Sequence, residues 1–313
     1  KEPKNKLNFK KPSAKAKAKA KAKANVKEVI PVNMDNKTYV MIDASYFIFR
    51  RYCATQVWFC SHTSKGEKDD CNINNSDFTG FFTKHFNDWV GNIIKQYKPD
   101  QIFWFKDSPK ATVWRTPLFE QYKEHRDDLC PPHVGEFFKY AYQSLIPPDR
   151  VIVVPTAEAD DALAISARYE HANNPNLNII VFTGDTDYLQ LVNDKIKVVN
   201  MKGKKCIPLP VQVVTGVVDK KKVKQNVDGA TYLFIKILLG DKTDGIPGIK
   251  GVGPATAWKL SQDPEYFNEF IMNNPKRRET FEHNQLMISF DYIPQQLQDD
   301  IRETYVDVKE GLA

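Results

Sequence analysis

The stretch at residues 178–187 reads NIIVFTGDTD and indicates the fold class. Its first five residues are mostly branched apolar side chains without alternation, which predicts a strand buried on both faces. The strand continues into a glycine turn that carries Asp185 and Asp187. Because ligands of open α/β sheets bind at the carboxyl ends of the strands, this stretch predicts a polar site at one edge of a parallel sheet.

Several other short apolar runs resemble this strand, and helical patterns separate them. This alternation predicts an α/β fold with a mostly parallel central sheet and helices on both faces. From Gly229 onward the pattern is helical throughout. The predicted strands are 38–43 (TYVMID), 101–106 (QIFWFK), 151–154 (VIVV), 178–182 and 196–199, and the predicted helices are 44–52, 76–97, 133–145 and about 157–171.

The charge is divided unevenly along the chain. The 313 residues carry a formal net charge of +6, but residues 1–27 alone hold eleven lysines and one acid. Repulsion between lysines and the lack of an apolar face predict that residues 1–36 are disordered. This tail could tether nucleic acid by releasing counterions from phosphate, or it could be a solubilising extension. We expect three parts: the tail (1–36), an α/β domain (37–228) and a helical region (229–313).

Composition excludes two classes of protein. No run approaches 18 uninterrupted apolar residues, so the chain is not expected to span a membrane. Five cysteines form no C-x-x-C pair. An odd set of this kind fits a reducing compartment better than a disulfide framework, and predicts an intracellular protein.

Acidic residues recur where the predicted strands end and where the next helices begin. Two carboxylates about 5 Å apart repel by roughly 3 kcal/mol at an effective dielectric constant near 20, so such a cluster needs cations. Because all of these ligands are oxygen atoms, they favour hard divalent ions. We expect two Mg²⁺ ions, for which Mn²⁺ can substitute. A pair of such ions can promote phosphodiester hydrolysis. The candidate metal ligands are Asp43, Asp107, Glu158, Asp160, Asp161, Asp185, Asp187, Asp241 and Asp244.

A glycine-rich stretch at residues 245–260 reads GIPGIKGVGPATAWKL and is typical of a helix–hairpin–helix motif. Its glycines allow a tight backbone, and the N–H groups at the start of the next helix can bind a DNA phosphate. Contacts of this kind position DNA without distinguishing its sequence. The candidate DNA contacts here are Gly248, Lys250, Gly251 and Gly253.

The order of these motifs resembles the flap endonuclease / 5′–3′ exonuclease superfamily, most closely its phage ribonuclease H branch. The matching stretches are EADDA (158–162), TGDTD (183–187), LLGDKTDGIPGIKGVG (238–253), SPKATVWRTPLFEQYKEHR (108–126) and FDYIPQQLQDDI (290–301). The resemblance implies the PIN-like 5′ nuclease fold. It assigns Asp43, Asp107, Glu158 and Asp160, completed by Asp161, to a first metal ion, and Asp185, Asp187, Asp241 and Asp244 to a second.

The same resemblance implies roles for residues outside the acidic cluster. Lys123 and Arg126 would act on the scissile phosphate, and Tyr122 would stack on a base. Arg50 is a further candidate for a phosphate contact. The hairpin at 248–253 would hold duplex DNA, in many relatives with a bound K⁺ ion.

The function implied is a structure-specific, metal-dependent 5′ nuclease. It would cleave DNA with 5′ flaps or RNA–DNA hybrids by a two-metal mechanism and remove RNA primers during replication. We expect a monomer, and nothing in the sequence supports a sliding clamp or a single-strand-binding protein as partner. Two alternatives stay open: a PIN-like nuclease of single-stranded RNA, and a non-catalytic duplex-binding protein of the same fold.

Overall fold

The computed structural model describes residues 36–62, 68–124, 130–203, 205–218 and 220–312. Three predictions therefore concern residues outside the described part: the disordered tail, apart from Asn36; the DNA-tether role of its lysines; and the position of Arg126.

Within the described residues, six strands form one sheet in the order β3-β2-β1-β4-β5-β6. The first five are parallel and β6 is antiparallel to β5. The predicted mostly parallel sheet is confirmed. The strands are β1 (Thr38–Asp43), β2 (Gln101–Phe105), β3 (Val151–Ile152), β4 (Asn178–Phe182), β5 (Ile196–Lys202) and β6 (Lys205–Pro208), and a separate antiparallel hairpin consists of β7 (Gln212–Val218) and β8 (Lys221–Asn226).

Helices cover both faces of the sheet and form the C-terminal region, as predicted. They are α1 (Ala44–His62), α2 (Ser76–Tyr97), α3 (Val134–Ser144), α4 (Ala159–Asn173), α5 (Gly229–Leu239), α6 (Pro254–Gln262), α7 (Pro264–Phe267), α8 (Pro275–Ile288) and α9 (Gln295–Glu310). No helix in the described residues is both long and apolar enough to cross a bilayer.

Alternate strand residues face opposite helix layers, as the two-residue period of a strand requires. On one face, Phe103 of β2 packs in the same apolar core as α4 and α9. On the other, Phe47 of α1 contacts Trp104 of β2 and Phe182 of β4, with ring centroids 5.2 and 5.6 Å apart. The sheet is therefore held rigidly between two layers.

The C-terminal helices divide between two cores. Helices α5, α6 and α8 share a second apolar core that includes Leu238, Leu260 and Phe281, and Val213 of β7 packs against it. Helix α9 instead returns to the sheet, where Ile301 and Tyr305 join the first core.

Several bounds of the predicted elements were wrong, and strand β5 ends at Lys202 rather than at residue 199. Helix α1 continues ten residues beyond residue 52. Strand β3 has only two residues, because it is an edge strand that pairs with β2 only at Val151 and Ile152. Helix α4 begins at Ala159 rather than near 157, because Glu158 and Asp161 form a capping box at its start.

Candidate metal centre

The carboxyl edge of the sheet collects acids from three neighbouring strands. Asp43 ends β1, Asp107 lies two residues beyond β2, and Asp185 and Asp187 follow β4. Helix α4 presents its N-terminal acids to the same edge, where the backbone N–H of Ala159 donates to Asp107 Oδ1 at 2.8 Å. The parallel topology therefore brings these predicted residues together.

Asp43 is partly buried, and both of its carboxylate oxygens are hydrogen-bonded within the protein. Its two carboxylate oxygens accept hydrogen bonds from the Tyr46 backbone N–H and the Thr183 hydroxyl, each at 3.0 Å. Burial, followed by the nearby charge of Asp107, raises the pKa of Asp43 to about 7. The fold thus holds this carboxyl where its negative charge is costly unless a cation is present.

Arg115 binds two of the acids at the start of α4. Its guanidinium is 2% exposed, and its Nη1 donates to Glu158 Oε2 at 3.0 Å and to Asp161 Oδ2 at 2.9 Å. Its Nη2 lies 2.7 Å from Asp161 Oδ1, and the Trp114 indole donates to Asp161 Oδ2 at 2.8 Å. Asp161 is thus held by protein donors. Arg115 was not predicted as a site residue, although it lies within the 108–126 stretch that matches the family.

Lys123 and Tyr122 complete the contacts of Glu158. Lys123 Nζ lies 2.5 Å from Glu158 Oε1 and 3.8 Å from Asp244 Oδ2, so it links the two predicted metal groups. The Tyr122 hydroxyl donates to Glu158 Oε2 at 2.7 Å. Burial would raise the pKa of Glu158, but Lys123 and Arg115 lower it. Because the Tyr122 ring is buried in the second core, it is not exposed for stacking on a base.

Asp160 differs from the acids on either side of it. Burial, followed by the charges of Glu158 and Asp161, raises its pKa well above the usual range for an aspartate. One of its oxygens, Oδ1, accepts from the backbone N–H of Asp161 at 2.8 Å. Asp160 is therefore the acid at this helix end whose charge is least compensated.

A second group of acids forms where α5 ends. Asp187, Asp241 and Asp244 each offer a carboxylate oxygen, and these atoms lie within 4.8 Å of one another. Lys236 of α5 contacts Asp187 Oδ1, and its Nζ lies 2.8 Å from Asp241 Oδ2. Burial would raise the pKa of Asp241, but Lys236 lowers it. Lys236 was not predicted either, because nothing in its local pattern distinguishes it from other lysines.

Both groups fit hard divalent cations. Glu158, Asp160 and Asp161 also place carboxylate oxygens within 4.8 Å of one another. The ligand atoms are all carboxylate oxygens, the type that Mg²⁺ and Mn²⁺ prefer. The raised pKa values of Asp43 and Asp160 indicate negative charge that the protein's own cations leave uncompensated.

A cavity lies next to Asp107, one of the predicted metal ligands. It has a volume of about 450 Å³ and lies between the start of α1, the end of β2 and α3. Its lining combines cationic and aromatic side chains, and the Lys106 ammonium lies 4.5 Å from the centre of the Tyr142 ring. The lining residues are Ser45, Lys106, Asp107, Phe138, Lys139, Tyr142 and Gln143.

The glycine-rich hairpin forms a tight loop that leads into α6. Gly240 has a φ of 69°, and a Cβ on it would lie 2.5 Å from the Ile246 carbonyl oxygen. A Cβ on Gly248 would lie 2.4 Å from the Leu239 carbonyl oxygen, so both positions require glycine. Lys250, Gly251 and Gly253 are exposed, and Gly253 is the N-cap of α6.

The two arginines of α1 lie in different environments. Arg50 is exposed beside Tyr46, with which its side chain is hydrogen-bonded. Arg51 is buried with its guanidinium 4.9 Å from the centre of the Trp89 ring. Arg50 is therefore the more accessible of the two to a phosphate.

Known proteins share both the sequence pattern and the fold. DNA polymerase I of Borreliella burgdorferi is 31% identical over 249 residues, which are 77% of this chain and 25% of that protein. The 5′-3′ exonuclease of Aquifex aeolicus is 29% identical over 229 residues, 71% of this chain and 68% of that protein. The chain thus spans a quarter of the first relative and about two thirds of the second.

Solved structures show the same architecture. The bacteriophage T5 5′-exonuclease with bound divalent metal ions (zinc) superposes with a TM-score of 0.59 at 15% identity, covering 88% of this chain and 99% of that one. A T5 D15 flap endonuclease in complex with DNA and metal ions gives a TM-score of 0.58 with 88% and 100% coverage. A sequence profile of the family described as 5′-3′ exonuclease, N-terminal resolvase-like domain, matches residues 38–228. The chain therefore belongs to this 5′-3′ exonuclease family.

Proposed function

We propose that the chain is a metal-dependent, structure-specific 5′ nuclease that hydrolyses phosphodiester bonds in DNA and in RNA annealed to DNA. The observation that carries this proposal is the pair of carboxylate groups, Glu158–Asp160–Asp161 and Asp187–Asp241–Asp244, linked by Lys123. Carboxylates grouped in this way can hold divalent cations, and those cations can bind a substrate with concentrated negative charge. Membership of the 5′-3′ exonuclease family supports the same reaction.

Two Mg²⁺ ions, or Mn²⁺ in their place, are the cofactors that we propose. Asp43, Asp107, Glu158 and Asp160 would hold one ion, and Asp185, Asp187, Asp241 and Asp244 the other. Asp161 would act mainly through Arg115, which binds both of its oxygens. Bound divalent ions supply Lewis-acid stabilisation of phosphoryl oxygens and lower the pKa of water.

We propose different roles for the cationic side chains of the site. Lys123 is held by Glu158 at the boundary of the two acid groups, where its ammonium can stabilise negative charge that develops on the phosphoryl oxygens. Lys236 neutralises Asp187 and Asp241 when no ion is bound. Arg126 and Arg50 are proposed to contact the substrate phosphates, and Tyr122 to position Glu158 through its hydroxyl.

Residues 229–313 are proposed to bind the duplex part of the substrate. The exposed Lys250, Gly251 and Gly253 offer an ammonium and backbone N–H groups, which bind phosphate without regard to base sequence. We propose a K⁺ ion in this hairpin. The T5 flap endonuclease in complex with DNA, whose fold this chain shares, supports a DNA substrate with a 5′ flap. We propose that the chain acts as a monomer in primer removal.

A cleavage assay with three substrates tests this function. A 5′-flap duplex, an RNA–DNA hybrid and single-stranded RNA are each offered to the full chain with Mg²⁺ or with EDTA. We expect metal-dependent cleavage of the first two. Rapid cleavage of the free RNA would favour a PIN-like RNA nuclease, and binding without cleavage would favour a duplex-binding protein.

Two aspartate variants sharpen the assay. Asp187→Asn removes a charge from the second acid group and should abolish most turnover while DNA binding persists. Asp194→Asn removes an exposed charge outside the site and should leave turnover unchanged. Equal turnover in the two variants would contradict the proposed metal ligands.

A further inference from the structure

Asn284 of α8 is a fully buried polar side chain that joins two separate segments of the backbone. It is 0% exposed, and its Nδ2 donates to the Ile237 carbonyl oxygen at 3.0 Å and to the Pro247 carbonyl oxygen at 2.8 Å. Its Oδ1 is also buried and has no hydrogen-bond partner among the described residues. A buried acceptor without a donor lowers stability, so the two donated bonds are what an asparagine contributes at this position.

The two accepting carbonyls lie on either side of the loop that carries two acids of the second group. Ile237 is in the last turn of α5, where backbone carbonyls have no partner within the helix, and Pro247 directly precedes the glycine-rich hairpin. Between them, the backbone N–H groups of Asp241 and Ile246 each donate to the other's carbonyl oxygen, at 2.9 and 2.7 Å. The loop is therefore closed at its base by the asparagine side chain and again by this backbone pair.

The same turn of α8 is fixed to the first acid group. Arg115, which binds two acids of that group, donates through Nε to the Met287 carbonyl oxygen at 3.0 Å. Gln190 Nε2 donates to the Ile288 carbonyl oxygen at 3.2 Å. Met287 and Ile288 follow Asn284 within about one helical turn. One turn of α8 therefore supports the first acid group, the loop of the second group and the start of the glycine-rich hairpin.

We propose that Asn284 is a positioning residue that fixes the glycine-rich hairpin relative to the acid groups and so selects which phosphodiester bond is cleaved. This inference rests on the proposed nuclease function, in which the hairpin binds the duplex and the acids hold the metal ions. Backbone contacts of the hairpin carry no information about base sequence. The bond that is cleaved then depends on the distance between the place that holds the duplex and the place that cuts it.

Small displacements are sufficient to change that bond. Successive phosphates of one strand are spaced about 3.4 Å along the axis of the duplex. A hairpin that moves by a few ångströms relative to the metal ions would therefore present a neighbouring phosphate. An amide nitrogen that binds both Ile237 and Pro247 opposes such a movement, because either bond is lost when the two backbone segments separate.

The test compares Asn284→Leu with Leu297→Ala in the full chain, at a temperature at which both variants are folded. Leucine is similar in size to asparagine but has no donor, so both carbonyls lose their partner. Leu297 of α9 packs in the first core, whereas the loop and the hairpin contribute Ile246 and Ile249 to the second. Leu297→Ala therefore controls for a general loss of stability.

Hydrogen exchange of backbone amides measures whether Asn284 holds the loop. The informative N–H groups are those of Asp241, Ile246 and Ile249, the last of which donates to the Leu238 carbonyl oxygen at 3.0 Å. In Asn284→Leu we expect their exchange to accelerate about 10-fold, and by more than that of the amides of β1. Leu297→Ala should show the opposite pattern, with the larger change in β1.

The lengths of the cleavage products measure which bond is selected. A 5′-flap duplex is cleaved with Mg²⁺ under single-turnover conditions, and the products are separated on a denaturing gel. In Asn284→Leu, the share of product cut at phosphates beside the main wild-type position should rise several-fold. Leu297→Ala should keep the wild-type distribution, because a loss of stability elsewhere does not move the hairpin.

Three outcomes would overturn the proposal. They are unchanged exchange of the loop amides in Asn284→Leu, a wild-type product distribution despite faster exchange, and an equal redistribution of products in Leu297→Ala. Failure of the nuclease function itself is distinguishable, because the wild-type chain would then cleave none of the substrates. That result would remove the selection of a bond, while faster exchange in Asn284→Leu would still assign the closure of the loop to Asn284.

Discussion

Glu170 and Asp160, near the two ends of helix α4, differ in how far protein donors compensate their charges. Near its C-terminal end, Glu170 is 0% exposed and accepts from the Tyr305 hydroxyl at 2.9 Å, Asn174 Nδ2 at 2.7 Å and Lys309 Nζ at 2.5 Å. At its N-terminal end, Asp160 is partly exposed, and its pKa is raised by burial and by the charges of Glu158 and Asp161 more than Lys123 and Arg115 lower it. Protein donors therefore compensate the charge of Glu170, but they compensate the charge of Asp160 only in part.

This difference separates a structural acid from a functional one. Burying a carboxylate is unfavourable unless donors or cations compensate it, and the contacts of Glu170 show that this chain can provide them. Asp160, whose charge is the least compensated at the other end of this helix, costs stability in the ion-free protein. Sites of this kind are characteristic of function, because stability alone would not favour them.

Arg115→Met is expected to have the largest effect on stability. It leaves Glu158 and Asp161 buried without their guanidinium, and breaking a buried pair from one side costs about 3–5 kcal/mol. Urea unfolding in EDTA measures the loss. Arg168→Ala is the control, because its pair with Asp291 at 2.8 Å is largely exposed and should contribute at most about 1 kcal/mol. Similar losses in both variants would contradict the assigned role of Arg115.

Lys123→Ala tests the cation between the two acid groups. Loss of one donor to developing negative charge typically lowers kcat about 10²–10³-fold. Single-turnover cleavage of a 5′-flap duplex measures the rate, and fluorescence anisotropy measures DNA affinity, which we expect to be retained. Lys84→Ala, which removes an exposed partner of Asp88, should cleave at the wild-type rate. A large loss of affinity with unchanged turnover would assign Lys123 to binding instead.

The pH dependence of unfolding tests the uncompensated charge of Asp43. Its pKa is about 7 in the folded protein, against 3.8 as the reference value for the unfolded chain. Between these values the folded state binds more protons, so stability in EDTA should fall as pH rises towards 7, by at most about 1.4 kcal/mol per pH unit. Asp43→Asn should flatten this slope. An unchanged slope would show that other groups cause it.

Glu170→Gln tests the compensated end of α4 and should have the smallest effect. The amide keeps one acceptor but weakens the charged contacts with Lys309 and Tyr305, at a cost of about 1–3 kcal/mol. Equilibrium urea unfolding measures this loss. The cleavage rate and Mg²⁺ affinity of the folded variant should equal those of the wild type, and a change in either would link Glu170 to the site.

Local patterns in the sequence were sufficient to locate the five parallel strands of the sheet, but not its antiparallel strand β6. The unbroken apolar runs at 38–43 and 178–182 each predict a buried strand, and both are strands in the structure. A parallel sheet then places the residues that follow such strands at one edge, which is why Asp43 and Asp185 could be grouped without coordinates. The β7–β8 hairpin was also missed, and in β8 six consecutive exposed residues give no apolar signal.

The residues that compensate the acids could not be predicted, because their partners are distant in the sequence. Arg115 reaches Glu158 and Asp161 and also donates through Nε to the Met287 carbonyl oxygen at 3.0 Å. Lys236 reaches Asp187, and Tyr122 turns inwards to Glu158. The local sequence around a lysine, an arginine or a tyrosine in a polar segment does not reveal whether its side chain faces solvent or a buried carboxylate.

The free energy of unfolding of Asp160→Asn, measured with and without Mg²⁺, tests whether the Asp160 carboxylate is a ligand of a divalent cation. Without metal, the variant should be more stable than the wild type, because it removes a negative charge that Glu158 and Asp161 make unfavourable. With saturating Mg²⁺ the order should reverse, because only the wild type gains the full stabilisation of a bound ion. The role of Asp160 as a metal ligand would be contradicted if the variant were less stable than the wild type in EDTA. It would also be contradicted if Mg²⁺ stabilised the variant as much as the wild type.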